Sequence, residues 1–425
     1  MQQIDRSIPP PIHPIQQLKL PRPRILALSN GIPVYIIEGG TQDIVKLEIV
    51  FRAGRPFESA PLVARLTSAL LKEGTTRQSG ADIAETIDFY GGTLSFPVSL
   101  DVSSITLFCL TRHFDRLLPL LTEILTEPTF PQHEMNAFIE RSVQRLRVDE
   151  ERADVVAYRR ITEQLYGTKH PYGYNSSAEL YDLRSREELI EHHRRSFTAG
   201  NCQIFLSGRP TEQTIAQLDT YLGRALPRGA RLEAVTPEVV TGPPQRSYQE
   251  MPDQLQTSLR IGRRLFSRHH EDYRGFQVLN CVLGGYFGSR LMSNLREDKG
   301  LTYGISSSTD MMLTDGFFMI NTDVAKELRE QATGEIYREL ERLRTELIPE
   351  EELNMVRNYL LGTFLTILDG PFNISSIAKS LIVEEIPLEF FSEFTQIIRN
   401  IDADTLRELA RRYLNPDDMW EVGVG

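Results

Sequence analysis

Arg194 to Gly208 reads RRSFTAGNCQIFLSG, and Arg411 to Gly425 reads RRYLNPDDMWEVGVG. Both windows span 15 residues, open on Arg-Arg, close on Gly and stand 217 residues apart. Upstream in the same register, Leu189 and Glu191 line up with Leu406 and Glu408. A helical segment near Glu134, with Arg141, has its counterpart near Glu350, with Arg357, 216 residues on. Few positions are identical, but a nearly constant offset over separate elements marks two copies of one fold. Between the copies, PRGARLEAVTPEVVTGPPQR (Pro227 to Arg246) has four prolines and no sustained helical periodicity, as an extended linker does. The expected division is an N-terminal half at 25–225, a linker at 226–245 and a C-terminal half at 246–425. Residues 1–24 are rich in proline and read as an extended arm.

Within the halves, strands and helices come in blocks. Ile25–Leu28 and Pro33–Glu38 flank Ser29-Asn30-Gly31, a hairpin signal. DIVKLEIVFR, Asp43 to Arg52, alternates apolar and polar residues like a half-buried strand, and Leu94–Leu110 adds strand-like sequence. Helical patterns cover Arg116–Leu125 and run from His133 to about Glu163. Blocks of this kind favour an α+β fold over a doubly wound sheet.

The 425 residues exceed one ordinary core and suit two domains. No stretch approaches the ~18 consecutive apolar residues of a membrane span, and the first 24 residues lack the apolar run of a secretory signal. The expected compartment is the cytoplasm. A net charge of −11 argues against a nucleic-acid footprint and names no partner. Cys109, Cys202 and Cys281 sit far apart in apolar runs and read as reduced core thiols.

Pro61 to Glu73, PLVARLTSALLKE, predicts a helix with Ser59 as its cap, Pro61 in the first turn and Gly74 at its end. The wider stretch FRAGRPFESAPLVARLTSALLKEGT, Phe51 to Thr75, resembles the N-terminal signature of the pitrilysin and mitochondrial-processing-peptidase (inverzincin) family. In that family the helix carries His-x-x-Glu-His and ends on a Gly-Thr like Gly74-Thr75. Imidazoles at i and i+4 hold zinc from one helix face, and the carboxylate at i+3 activates the metal-bound water. Counting back from Gly74, those positions are Arg65, Ser68 and Ala69, and the family's third ligand, a glutamate, falls near Leu146. A guanidinium repels zinc, serine is a poor ligand and base, and alanine and leucine offer no donor. The resemblance therefore implies a degenerate metal site, with no metal and no cofactor held by this chain. The eight histidines form no HxxEH, HExxH or Cys-rich cluster; the pairs His192/His193 and His269/His270 read as exposed polar residues.

The C-terminal half carries LNCVLGGYFGSRLMSNLREDKGLTYGISSS, Leu279 to Ser308: a helix, a glycine-rich turn, a second helix capped near Ser289 and stopped at Gly300, then a strand. GGYFGS lacks the Lys-Ser/Thr of a phosphate loop. The stretch resembles the same family's LGG-x-x-x-SRL-x-x-x-LRE-x-x-GL-x-Y motif. By that resemblance Arg296 and Tyr303 face a zinc site across a closed chamber, the phenol donating to the oxyanion and the guanidinium holding the peptide backbone. From spacing alone the two are ordinary helix-end and strand residues. EIYRELERLRTE, Glu335 to Glu346, pairs charges three apart (Arg338–Glu341, Glu339–Arg342) and reads as a solvated face. YGTKHPYGYN, Tyr166 to Asn175, resembles the family's HPY loop and is assigned no chemistry.

The resemblance implies two homologous halves, each a mainly antiparallel sheet packed against helices. It also implies the non-catalytic subunit of a heteromeric zinc endopeptidase acting on unfolded, extended peptides, with zinc in a homologous partner that keeps HxxEH. The rival expectation is an inert scaffold or peptide-binding protein of the same fold, for which Arg296 and Tyr303 need not be kept.

Overall fold

The computed structural model describes residues 18–235 and 237–425. The first half contributes strands β1 (Arg24–Ala27), β2 (Pro33–Glu38), β3 (Ile44–Phe51), β4 (Thr93–Ser95), β5 (Ser103–Leu110) and β6 (Cys202–Gly208). Its helices are α1 (Val63–Leu70), α2 (Gly80–Phe89), α3 (Phe114–Thr126), α4 (Gln132–Glu150), α5 (Ala153–Tyr166), α6 (Ala178–Asp182), α7 (Arg186–Ser196) and α8 (Glu212–Leu218). The second half has strands β7 (Arg246–Gln249), β8 (Gln256–Leu265), β9 (Thr302–Met311), β10 (Gly316–Ala325) and β11 (Trp420–Val424). Its helices are α9 (Tyr273–Gly284), α10 (Arg329–Thr345), α11 (Glu350–Ile367), α12 (Gly370–Val383), α13 (Glu389–Asn400) and α14 (Ala403–Tyr413).

The two sheets repeat one topology. The first runs β1-β2-β6-β3-β5-β4 and the second β7-β11-β8-β10-β9. Leaving out β1, the orders correspond strand for strand. In each, only the late strand pairs in parallel, β6 with β2 and β11 with β7, and every other pair is antiparallel. Each repeated sequence window ends a helix, α7 or α14, and then enters that parallel strand. The fold is α+β and duplicated, with each sheet packed against helices.

Each half also covers the other's sheet. α12 lies on β6 and β2 of the first sheet, whereas α5 lies on β8 and β11 of the second. Around α5 a separate junction core forms, in which Ala157, Ile161 and Leu165 meet Met319, Val422 and Val424. The contact of α12 explains a departure from expectation. β3 reads as half-buried by its alternation, yet its polar face is covered too, and Glu48 is only 3% exposed. Lys379 of α12 reaches it at 2.6 Å and Lys46 at 2.8 Å.

Other boundaries differ as well. The helical pattern from His133 to Glu163 is two helices, broken at Glu151 and Arg152. α1 begins at Val63, later than expected, because Leu62 takes a left-handed turn (φ 75°). Most of the expected arm, residues 1–17, lies outside the described residues. Beyond it Leu18 and Leu20 are buried in the second half's core, and Arg22 pairs with Glu389 on α13. No regular element forms between 227 and 245 among the described residues, although Ala199 N–H donates to Pro227 and Val235 N–H to Pro56. All three cysteines are buried and unpaired; burial pushes the Cys109 and Cys281 thiols up to about 12. No single helix among the described residues is long and apolar enough to cross a membrane. α11 and α12 pass together but are bent by 110°.

Candidate functional site

The start of α1 is fixed by a half-buried carboxylate rather than by Ser59. Glu58 accepts from Ala64 N–H (3.0 Å) and from the Tyr174 hydroxyl (2.6 Å), which itself accepts from Leu62 N–H (3.2 Å). Arg55 lies 4.1 Å over the Tyr174 ring and donates to the carbonyls of Pro171 and Tyr174. Burial raises the Glu58 carboxyl above its ordinary range, although these donors oppose the shift. The left-handed Leu62 turns the chain so that Glu58, not Ser59, meets the orphan amides of the first turn.

The four metal-ligand positions do not form a metal site. Arg65 is exposed on α1. Ser68 is 1% exposed, and its hydroxyl donates to Ser103 Oγ (2.8 Å), which donates to Ala53 O (3.1 Å). Ala69 and Leu146 are half-buried. Among the described residues no three His, Cys, Asp or Glu side chains are grouped to hold a metal ion. These residues do not fit zinc: one is cationic, one is committed to a neighbouring hydroxyl and two are hydrocarbon.

Of the two histidine pairs read from the sequence as surface residues, His269/His270 is exposed, whereas His192/His193 is structural. His192 is 2% exposed and donates from Nε2 to Ala53 O (3.1 Å); burial brings its pKa down to about 4. His193 donates to Leu125 O (2.8 Å) and stacks on Phe197. Both lie on α7, which packs against α1, so one helix face of the pair is core and the next is capped by a carbonyl.

The second motif is built differently. α9 ends in the glycine turn, where a Cβ on Gly284 would meet Ser307 N at 2.6 Å, so only glycine lets the helix approach β9 this closely. Ser289 is buried, yet its hydroxyl caps nothing, so the expected cap is absent. Arg290 instead grips Glu352 of α11 with both fork nitrogens (2.8 and 2.9 Å). Met292–Asp298 then forms a π-helical turn, closed by Lys299 N–H to Asn294 O and Leu301 N–H to Leu295 O, before Gly300 (φ 61°) releases the chain into β9.

This turn rests on α10. Glu335 and Glu339 were expected on a solvated face, yet they are 6% and 1% exposed. Lys299 meets Glu335 at 2.5 Å and Asn294 donates to Glu339 at 2.6 Å. Of the expected pairs, Glu339–Arg342 forms at 3.0 Å, while Arg338 turns to Glu335 rather than Glu341. Sequence periodicity could not have marked these glutamates, because their partners lie about 40 residues upstream on another element.

Arg296 projects from the turn between two aromatic rings, 5.0 Å from Phe287 and 5.2 Å from Tyr303. Tyr303 is 88% exposed and Phe287 63%. The predicted pair is thus brought together, its hydroxyl and guanidinium free of acids and carbonyls among the described residues. No hydrogen bond, ion pair or ring contact joins it to Arg65, Ser68, Ala69 or Leu146: α1 packs on α7 and α4, the π-turn on β9 and α10.

A model of the peptidase M16 inactive domain matches residues 185–360, a span that contains this pair and excludes α1. Over that span the chain resembles peptidase M16 proteins. An uncharacterized zinc protease of Bacillus subtilis is 22% identical over 80% of this chain and 83% of its own length. A Helicobacter pylori protein described as a non-peptidase homolog is also 22% identical, over 78% and 77%. Among solved structures, a peptidase M16 inactive domain from Pseudomonas fluorescens superposes with a TM-score of 0.87 at 25% identity, covering 95% of this chain and 97% of that one. A chain of Complex III2 from Candida albicans shares the fold at 14% identity, with a TM-score of 0.75 and 95% coverage of each. The resemblance holds for the fold; the matched span leaves out residues 65, 68, 69 and 146, none of which carries a zinc-binding side chain.

Proposed function

We propose that this chain is the non-catalytic subunit of a heteromeric zinc-dependent endopeptidase acting on unfolded peptides. In this reading it lends Arg296 and Tyr303 to the zinc site of a homologous partner that bears HxxEH. One observation carries the reading: a half-buried guanidinium on a π-turn fixed by two buried glutamates stands beside an exposed phenol on β9, and neither has a hydrogen-bond or acidic partner among the described residues. An arginine or tyrosine kept only for packing buries its stem and satisfies its polar end. π-turns, moreover, concentrate at functional sites. Extended peptides are the expected substrate, since a strand added to a sheet edge in the catalytic partner needs backbone rather than sequence.

The test is cleavage of an unfolded peptide by the chain alone, by an HxxEH-bearing M16 partner alone, and by the two mixed. Activity that appears only in the mixture supports the reading. A mixture that assembles without any gain in cleavage favours the scaffold, in which the pair serves binding or nothing.

A further inference from the structure

The HPY loop, given no role by the sequence, crosses the junction between the halves. Tyr166 donates to Gly316 O (3.0 Å) at the start of β10, and Arg264 of β8 lies 5.3 Å over its ring. Tyr172 donates to Asp101 Oδ1 (2.5 Å), while Asp101 Oδ2 accepts Leu313 N–H (2.9 Å) from the second half's β9–β10 turn. One carboxylate thus joins the loop of one half to the turn of the other. Beside it lies a cavity of about 310 Å³ lined by Arg52, Asp101, Tyr158, Asp310, Phe317 and Glu384. Beside the packed junction core, the loop and the β9–β10 turn are thus joined by discrete bonds next to an open space.

His170 organises this loop. It is 3% exposed and stacks on Tyr166 (ring centroids 5.2 Å), and its Nδ1 accepts Tyr172 N–H (3.1 Å). Its proton is thereby placed on Nε2, which is buried and has no hydrogen-bond partner. A second proton has only Nδ1 to occupy, where it would face the Tyr172 N–H. The groups around the ring offer an imidazolium no free acid. Tyr166 and Tyr172 are neutral, and from the second half Asp315 is already paired with Arg264 at 2.5 Å. We propose that the loop Tyr166–Tyr174 is a latch between the halves, and that mild acid releases it through protonation of His170.

The direction follows from linkage. Burial lowers the His170 pKa, with Asp315 opposing and Arg264 adding to the shift. The grip is complete above the ordinary histidine value of about 6.5 and is lost as pH falls below it. Asp101 works in the opposite sense, since burial raises its carboxyl, so an acid release belongs to His170. The inference concerns a local contact between the halves and stands whether or not the chain serves a peptidase.

Hydrogen exchange of the full chain at pH 7.5 and 5.5, corrected for intrinsic rates, tests it in the segments 166–174 and 311–317. Loss of protection confined to these two segments is expected, the opening constant rising by up to about tenfold per pH unit in the window. Tyr172→Phe removes the bond to Asp101 and should weaken protection at both pH values while keeping the pH step. His170→Phe keeps a ring against Tyr166 and should abolish the step. The proposal is overturned if the parent shows no step, or if the step survives in His170→Phe. It is equally overturned if α7, which carries the buried His192 and the half-buried His193, loses protection to the same extent, since that is global unfolding.

Discussion

Tyr303 and Arg296 are the residues at which the proposed function can fail. Tyr303→Phe removes one hydroxyl donor and leaves the ring beside Arg296, so assembly with a partner should survive. Loss of an oxyanion donor lowers turnover by ~10²–10³-fold, and a phenol supplied across a subunit interface should fall at the lower end. Arg296→Lys keeps the charge but loses the planar fork between Phe287 and Tyr303, and should impair peptide binding as well as turnover. Steady-state cleavage by the mixed complex, with assembly followed by size, measures both. If the variants assemble and cleave like the parent, the pair has no role in the chemistry. Ser68 makes a second residue-scale case. Ser68→Glu would restore the family's base in name, but it buries a carboxylate against Ser103 and Ala53 O where no cation stands. It should cost about 3 kcal/mol or more, visible as a lowered midpoint in urea, with no zinc gained. All three residues were singled out by the family resemblance. That Ser68 is sealed into the core was not, because its partner Ser103 is 35 residues away on β5.

Among the elements, those that the sequence misjudged are held by partners far away in the chain. The alternation in β3 is real, yet α12 covers its polar side, and Glu48 becomes an inter-half ion with Lys46 and Lys379. Burial alone would raise the Glu48 carboxyl; Lys379 first and Lys46 next overcome it and hold its pKa below the ordinary range. A depressed folded value contributes stability that is present above the unfolded carboxylate pKa, about 4.5, and is lost as pH falls through the folded one. Lys379→Met should therefore destabilise the chain at neutral pH and flatten its acid dependence below about 4.5. Urea midpoints measured from pH 7 to pH 3 check this, and parallel curves for parent and variant would show that the lysine contributes nothing. α10 was misjudged for the same reason. Its sequence has the charge pairs of a solvated helix, but Glu335 and Glu339 face Lys299 and Asn294, whose approach follows from the Gly300 turn. Strand order, by contrast, follows from local hairpins and the repeated helix-to-strand windows, features that one copy of the sequence shares with the other.

In the whole molecule, duplication does not make two independent domains. The sequence offset separates the halves cleanly at the proline-rich stretch, whereas the helices that complete each sheet, α5 and α12, are supplied by the opposite half. Removing either half would bare Ile161, Leu165 and Tyr166 on one side and Met319, Val422 and Val424 on the other. Full burial of each such side chain is worth about 1.5–3 kcal/mol, and a handful of them amounts to most of the roughly 5–15 kcal/mol that keeps a domain folded. The exposed sheet faces would also be apolar patches larger than a soluble monomer tolerates. Expressed separately and cut within the linker, residues 1–242 and 243–425 should aggregate or lack cooperative unfolding. Co-expressed, they should associate into one particle of the parent's size, because the exchanged helices restore both sheets without the covalent link. Size exclusion and denaturant titration of the separate and joint products distinguish these outcomes. Two halves that are each monomeric and unfold cooperatively alone would mean that the exchanged helices decorate sheets already stable without them.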